Sequence, residues 1–155
     1  MNKKTTIRYA VENDVPVIHK LIKELAEYEK LSDKVKASEE DLKSVLFGKD
    51  RFVEVLIAEY EEVEIGYAIF FKNFSTFLCK PGIYLEDLYV KPEFRGKGIG
   101  KALLEEIISL AKERNYGRVE WSVLDWNTPA IDFYKKIGAK QLNEWSVFRL
   151  ESEKF

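Results

Sequence analysis

Apolar and polar residues follow two different periods along the chain, which predicts both strands and helices. Runs with a period of two, or rich in β-branched and aromatic residues, predict six strands at 7–10, 52–59, 65–71, 83–90, 118–124 and 145–150. Apolar residues three and four positions apart predict four helices at 14–28, 38–48, 99–115 and 129–138. The order β-α-α-β-β-β-α-β-α-β predicts an α/β fold in which a mixed sheet carries helices on both faces.

Local signals refine where these elements begin and end. Asn13 or Asp14 is the predicted cap of the first helix. Ser38 with Asp41 has the pattern of a short capping box at the start of the second helix. Val45 is among the positions of the second helix that are predicted to face inward. An acidic turn at 61–64 predicts a hairpin between the second and third strands. Residues 72–82 predict a loop that contains several aromatic side chains.

Composition restricts the class of protein. The 155 residues are 46% hydrophobic and 34% charged, which predicts one domain spanning 1–155. A net charge of −2 argues against a nucleic-acid partner. One cysteine and one histidine, Cys79 and His19, exclude a disulfide framework and argue against a metal site. No signal-peptide core or long apolar run is present, so we expect a cytoplasmic protein without a membrane partner.

The strongest chemical signal is the segment VKPEFRGKGIGKA at 90–102. A predicted strand runs into a turn with glycines at every second position, and a helix begins on that turn. Such glycines let backbone N–H groups point into one concavity, and the helix N-terminus adds partial positive charge. The segment therefore predicts a pyrophosphate cradle, with Arg95, Lys97 and Lys101 adding positive charge around it.

Several designs share such a glycine-rich loop. A Walker loop requires Gly-Lys-Ser/Thr after a wider spacing, whereas this chain has Gly100-Lys101-Ala102. A dinucleotide-binding fingerprint belongs to an early βαβ unit, and this loop follows strands joined largely by hairpins. The third design is the Arg/Gln-x-x-Gly-x-Gly/Ala loop of Gcn5-related N-acetyltransferases, matched by Arg95, Gly98 and Gly100. A glycine-rich helix start without any ligand is the fourth possibility.

The flanking sequence resembles the spermidine/spermine (diamine) acetyltransferase branch of the Gcn5-related N-acetyltransferase (GNAT) family. The segments YLEDLYV at 84–90 and WNTPAIDFY at 126–134 have that branch's order and spacing around the glycine loop, and Tyr28-Glu29 also matches. This resemblance covers nearly the whole chain. It implies the GNAT fold, a mostly antiparallel sheet splayed open beside its fourth strand, with acetyl-CoA in the opening. It also implies a homodimer.

The resemblance assigns roles residue by residue. It implies that the donor acetyl-CoA is held by the fourth strand, the glycine loop and one downstream residue: Leu88, Tyr89, Val90, Arg95, Gly96, Lys97, Gly98, Ile99, Gly100, Lys101 and Asn127. Asn127 could equally cap the helix that begins at Thr128-Pro129. The implied residues for the amine are Tyr28, Glu29, Glu86, Asp87 and Glu144. Lys30 replaces an aromatic residue of the animal polyamine enzymes, and the segment 74–82 differs from theirs, so a smaller diamine, a thialysine-like amino acid or another primary amine stays open as the acceptor beside a polyamine.

Acetyl transfer to an amine needs a neutral amine and a proton for the departing thiolate. A thiol has a pKa of about 8.5 and a tyrosine about 10, so a tyrosine can protonate the thiolate as it forms. The resemblance implies that Tyr134 is this acid and that Glu86 supports deprotonation of the amine through water. Adjacent strand residues point to opposite faces, so Glu86 and Asp87 share a task only if a bulge intervenes.

The sequence thus predicts an N-acetyltransferase that uses acetyl-CoA directly, in a ternary complex with a small primary amine and without a metal. Acetylation of a protein lysine or N-terminus, and non-catalytic binding of acyl-CoA, are the alternatives. Charge is divided in keeping with this prediction. From Leu21 to Glu64 there are 7 Lys/Arg against 13 Asp/Glu, whereas from Lys91 to Arg118 there are 7 against 4. An acidic segment suits a cationic acceptor, and a basic one suits an anionic donor.

Overall fold

Five strands in sequential order form one mixed sheet, β1-β2-β3-β4-β5, in a computed structural model that describes residues 4–155. The strands are β1 Thr5–Tyr9, β2 Val53–Tyr60, β3 Val63–Ser75, β4 Lys80–Val90 and β5 Val119–Trp121. The first four pair antiparallel, and β5 pairs parallel to β4. The helices are α1 Val15–Tyr28, α2 Glu39–Phe47, α3 Ile99–Glu113 and α4 Thr128–Lys136. The fold is therefore the predicted mixed α/β arrangement.

The chain divides into two compact units. The first extends to Ser122 and holds all five strands with α1, α2 and α3, and the second is Val123–Phe155, which holds α4. No helix within residues 4–155 combines the length and the apolar character that crossing a membrane requires.

Helices cover both faces of the sheet in the first unit. On one face, Leu21 and Leu25 of α1 pack with Ile57, Tyr67 and Ile69 of the strands. Strand side chains alternate between faces, so Leu56 and Phe70 point the other way, where α3 contacts β2, β3 and β4. Each of these apolar side chains is buried, and the two layers fix the strands on which the candidate site residues lie.

The predicted helix signals are largely confirmed by the local geometry. Ser38 Oγ accepts from Asp41 N at 3.2 Å, while the Asp41 carboxylate accepts from Ser38 N at 2.8 Å, which is the predicted capping box. Asp14 occupies the N-cap of α1 but makes no side-chain cap there, because its carboxylate accepts from Val11 N and pairs with Arg8. The acidic hairpin turn is confirmed too: Glu61 and Glu62 both have positive φ, 49° and 65°.

The end of α1 has an uncommon backbone. Leu31 N donates to Ala26 O at 2.8 Å and Lys30 N donates to Glu27 O at 3.0 Å, the two hydrogen bonds of a Schellman motif. This motif places Lys30 at φ 60°, in the left-handed region where glycine is usual. The chain thus turns sharply just after Glu29.

Three predictions about the elements are wrong. Residues 72–82 are not a loop, because β3 continues to Ser75 and β4 begins at Lys80, with Phe74 paired to Pro81. Val45 of α2 is exposed rather than inward. Residues 145–150 form no strand: Trp145 is 73% and Phe148 95% exposed, and the second unit, all of which the structure describes, contains no strand that could pair with this segment.

Candidate active site

The glycine loop joins the end of β4 to the start of α3 with the predicted geometry. Gly96 and Gly98 have φ values of 73° and 80°, and Gly98 is the N-cap of α3. Apart from the adjacent residues of the chain, no atom of the described residues lies within 4 Å of where a Cβ would stand at either position. Because Gly98 has no side chain, the first backbone N–H groups of α3 receive no side-chain cap from the N-cap residue. This is an anion-binding arrangement of backbone donors.

Two lysines beside the loop fit an anionic group such as the pyrophosphate of acetyl-CoA. Lys97 is exposed, with its Nζ 5.1 Å from the centre of the Phe94 ring. Lys101 lies in the first turn of α3 and is exposed, and its contact with Glu105 is a loose 3.5 Å ion pair. Both ammonium groups therefore keep most of their charge available to solvent or to a ligand. Ile99 is buried and anchors the start of α3.

A β-bulge interrupts β4 at Glu86. Ile69 pairs with Asp87 and Phe70 pairs with Leu85, so Glu86 is an extra residue that faces no partner on β3. On the opposite edge, the ladder with β5 covers Ile83–Leu85 and goes no further among the described residues. The sheet therefore opens beside β4 from Glu86 onward, which is the position that the resemblance implies for acetyl-CoA. Leu88, Tyr89 and Val90 follow on the same strand, paired with β3.

Asp87, Tyr67 and Glu29 form a carboxylate cluster beside the bulge. The Tyr67 hydroxyl donates to Asp87 Oδ2 at 3.1 Å, and Tyr67 is completely buried. Burial raises the pKa of Asp87 to about 6, with smaller contributions from the charges of Glu86 and Glu29. Burial also raises the pKa of Glu29, which lies at the C-cap of α1. Burial, together with the Asp87 charge, holds the pKa of Tyr67 well above its usual range.

This cluster can bind a cation. Two carboxyl groups whose ionised forms are disfavoured by burial gain energy when a positive charge approaches. Tyr67 is a site residue that sequence reasoning missed, because a tyrosine in the apolar run IGYAIFF has the pattern of a core aromatic. No sequence signal separates its hydroxyl from that of any other buried tyrosine. Glu86 is exposed, so the bulge places one of the adjacent carboxylates in solvent and the other in the cluster.

Arg95 connects the glycine loop to α1. Its guanidinium carbon lies 4.5 Å from the centre of the Tyr28 ring and 5.4 Å from that of Tyr89. Its Nε also donates to Val90 O at 2.8 Å. The Tyr89 hydroxyl in turn donates to Glu24 of α1 at 3.3 Å. The side chains of Tyr28, Tyr89 and Arg95 therefore form one stack between β4 and α1, which we call the Arg95 stack.

Three predicted site residues lie in the second unit. Asn127 Oδ1 accepts from Ala130 N at 3.4 Å, so this side chain does cap α4, and contact with a donor molecule remains a prediction. Tyr134 is half-buried in α4, with its ring 5.4 Å from that of Phe133. Glu144 is exposed in a turn after α4. The roles predicted for Tyr134 and Glu144 also remain predictions.

A separate cavity of about 700 Å³ lies at the end of the sheet where β2 begins. Its walls include Tyr9 of β1, Phe47 of α2, Glu54 of β2 and Tyr116. None of the predicted site residues lines it, so it is distinct from the glycine loop and from the carboxylate cluster.

Comparison with known proteins places these features in context. Residues 18–139 match the sequence profile of the acetyltransferase (GNAT) family. The chain is 43% identical to a thialysine N-epsilon-acetyltransferase of Bos taurus, across 95% of this chain and 92% of that protein. It is 32% identical to an L-ornithine N5-acetyltransferase of Arabidopsis thaliana, across 95% of this chain and 84% of the relative. A solved integron cassette protein from the mobile metagenome of V.cholerae has a TM-score of 0.82 at 29% identity, covering 99% of this chain and 96% of that one.

Proposed function

The chain belongs to the acetyltransferase (GNAT) family and is an acetyltransferase, and on that premise we propose that it acetylates a primary amine of a small cationic molecule. The proposed donor is acetyl-CoA, and the proposed acceptors are thialysine-like amino acids, ornithine-like amino acids and diamines or polyamines. Relatives named for thialysine and for ornithine support the amino-acid acceptors, and a spermidine/spermine N(1)-acetyltransferase-like protein of Homo sapiens, 31% identical, supports the polyamines.

Donor binding is proposed for the glycine loop and the open edge of β4. The uncapped N–H groups at the start of α3, with Lys97 and Lys101, suit the pyrophosphate. The peptide groups of Leu88–Val90 lie beyond the last residue of β4 that pairs with β5, and they suit the amide-rich pantetheine arm. The donor would supply a thioester whose carbonyl carbon is open to attack by an amine.

Acceptor binding is proposed for the carboxylate cluster, and this is the observation that carries the proposal. Glu29 lies at the C-cap of α1 and Asp87 on β4, yet burial raises the pKa of both carboxyl groups, Asp87 accepts from the Tyr67 hydroxyl, and the charge of Glu29 acts on both Asp87 and Tyr67. An alkyl ammonium between these carboxylates would neutralise charges that burial disfavours. An acceptor with a second charged or polar end could extend towards Tyr28.

The proposed reaction is direct transfer in a ternary complex. The acceptor loses a proton through water to Glu86, which is exposed at the bulge, and its nitrogen then attacks the thioester carbonyl. As the carbon–sulfur bond breaks, the Tyr134 hydroxyl gives its proton to the sulfur, and the extra proton on the attacking nitrogen passes through water to the tyrosinate. The products are the N-acetylated amine and free CoA. No metal takes part, and residues 1–155 act as one acetyltransferase domain.

A panel assay tests the proposal. Acetyl-CoA is incubated with thialysine, lysine, ornithine, putrescine, spermidine and a lysine-containing peptide, and released thiol is followed with wild type, Glu29→Gln and Asp87→Asn. We expect turnover with at least one small amine and a rise of about tenfold or more in its KM in both variants, because loss of a partly buried ion pair is costly. Acetylation of the peptide alone would indicate a protein acetyltransferase. CoA binding without any acetylation would indicate a non-catalytic module.

We further propose a cytoplasmic homodimer without nucleic-acid or membrane partners, on the basis of the resemblance and of the near-neutral composition. Light scattering on the purified protein tests the dimer, since a single species of about twice 18.1 kDa is expected.

A further inference from the structure

Arg95 belongs to the glycine loop, but its side chain is already engaged by protein groups. The guanidinium lies on the rings of Tyr28 and Tyr89 at 4.5 and 5.4 Å, and its Nε donates to Val90 O. An arginine that stacks on two aromatic faces and binds a carbonyl is restrained in position. Lys97 Nζ lies 5.1 Å from the centre of the Phe94 ring and Lys101 pairs with Glu105 at 3.5 Å, so these flexible ammonium groups are restrained less than the Arg95 guanidinium with its two rings and its carbonyl. The loop thus contains two kinds of cation with different surroundings.

The Arg95 stack ends next to the carboxylate cluster. Tyr28 is the last residue of α1, and Glu29 follows it directly at the C-cap. The backbone after Glu29 turns sharply through the left-handed Lys30, so the position of the Glu29 carboxylate depends on how the last turn of α1 is held. Within that turn, Arg95 lies on the side chain of Tyr28. The Tyr89 hydroxyl, bonded to Glu24, attaches the same stack one turn earlier on α1.

We propose that Arg95 is a positioning residue that couples donor binding at the glycine loop to acceptor binding at Glu29 and Asp87. Pyrophosphate bound at the loop restrains Arg95 further in its contact with Tyr28, and the end of α1 is restrained with it. The acceptor then meets a carboxylate cluster that is already in place, so it binds more tightly to the donor-loaded enzyme. This coupling rests on the proposed function and assigns Arg95 a task other than phosphate contact.

The proposal predicts a specific division of kinetic effects. Arg95→Lys keeps a positive charge near the phosphates but loses the flat guanidinium that stacks on two rings. We expect the KM of the amine to rise about five- to tenfold, while the KM of acetyl-CoA changes less than twofold. Lys97→Gln should do the reverse, raising the KM of acetyl-CoA and leaving that of the amine. Tyr28→Leu, which removes the ring on which the guanidinium lies, should resemble Arg95→Lys.

Hydrogen exchange gives a second reading that needs no acceptor. The amides of Glu29, Lys30 and Leu31 donate within the last turn of α1, so their exchange reports how firmly that turn is held. With saturating CoA, we expect these amides to exchange at least threefold more slowly in wild type and to be unchanged in Arg95→Lys. CoA must slow exchange at the glycine loop in both proteins, which shows that CoA is bound.

The outcomes separate this inference from the proposed function. If no amine in the panel is acetylated but CoA slows exchange at the end of α1 only when Arg95 is present, the coupling stands and the acceptor assignment fails. If amines are acetylated and Arg95→Lys raises only the KM of acetyl-CoA, Arg95 is a phosphate ligand and the coupling is overturned. Equal protection of α1 by CoA in wild type and Arg95→Lys overturns it as well.

Discussion

Asp87 should destabilise the folded protein at neutral pH, and replacing it by asparagine should reveal the size of this effect. The folded-state pKa of about 6 lies above the ordinary value of 3.8, because the carboxyl is largely removed from water. A difference of that size corresponds to about 3 kcal/mol of unfolding free energy. The asparagine side chain retains an oxygen that can accept from the Tyr67 hydroxyl, so Asp87→Asn removes the charge with little change in shape.

The sign of this stability difference depends on whether the Asp87 carboxyl loses its proton at a lower pH in the folded or in the unfolded chain. Well below pH 3.8 the carboxyl is protonated in both the folded and the unfolded chain, so wild type and Asp87→Asn should be equally stable. Between pH 3.8 and about 6 the unfolded chain ionises while the folded chain does not, and wild type loses stability relative to the variant. Above pH 6 the difference is constant.

Thermal unfolding from pH 4 to pH 8 measures this difference. At pH 7.5 we expect Asp87→Asn to melt higher by roughly 6–12 °C, since about 1 kcal/mol corresponds to 2–4 °C for a chain of this size. Asp132→Asn, which changes an exposed carboxyl on α4, is the matched control and should alter the melting temperature little at any pH. The reasoning is refuted if Asp87→Asn melts lower than wild type at pH 7.5, or if its advantage does not grow between pH 4 and 6.

Three further changes have definite expected results. Tyr134→Phe should reduce kcat at least 100-fold with less than a twofold change in the KM of acetyl-CoA, because general acid catalysis contributes about 10²–10⁴-fold; unchanged turnover contradicts its role as the acid. Gly98→Ala should weaken CoA binding tenfold or more, because the added Cβ enters the open cradle, and it should lower stability by about 1 kcal/mol, because a φ of 80° strains any side chain. Calorimetric titration with CoA measures the affinity. An unaltered affinity would show that the loop does not belong to the donor site. Lys30→Gly should raise stability by about 1 kcal/mol in urea unfolding, since its left-handed φ of 60° suits glycine, and Lys30→Ala, which keeps the Cβ, should not.

Local signals in the sequence predicted most of the fold. The capping box at Ser38, the acidic turn at 61–64 and the glycines at 96 and 98 each act through backbone geometry within a few residues, so their pattern alone predicts the outcome. The prediction failed for the segment whose structure depends on pairing with a second strand. Residues 145–150 have the composition of a strand, but a strand exists only when another strand takes up its backbone hydrogen bonds.

The candidate site was predictable for the loop and less so for the carboxylates. Glu29 and Asp87 were expected through the family resemblance, yet the sequence gives no indication that burial raises both of their pKa values. Tyr67 was missed because its partner is 20 residues away and the register that joins them depends on the bulge. Distances of this kind arise from the assembled sheet and not from any one segment.

The bulge at Glu86 means that β4 is one residue longer than the sheet needs. Asp87 faces Ile69 and Leu85 faces Phe70, as they would in a regular ladder without Glu86. Deleting this residue would therefore leave every other pair of the ladder possible, whereas a deletion elsewhere in β4 would turn the following side chains to the opposite face. Ten residues of β4 pair with β3, and Glu86 is the eleventh, whose side chain can therefore change without any change in the pairing of the sheet.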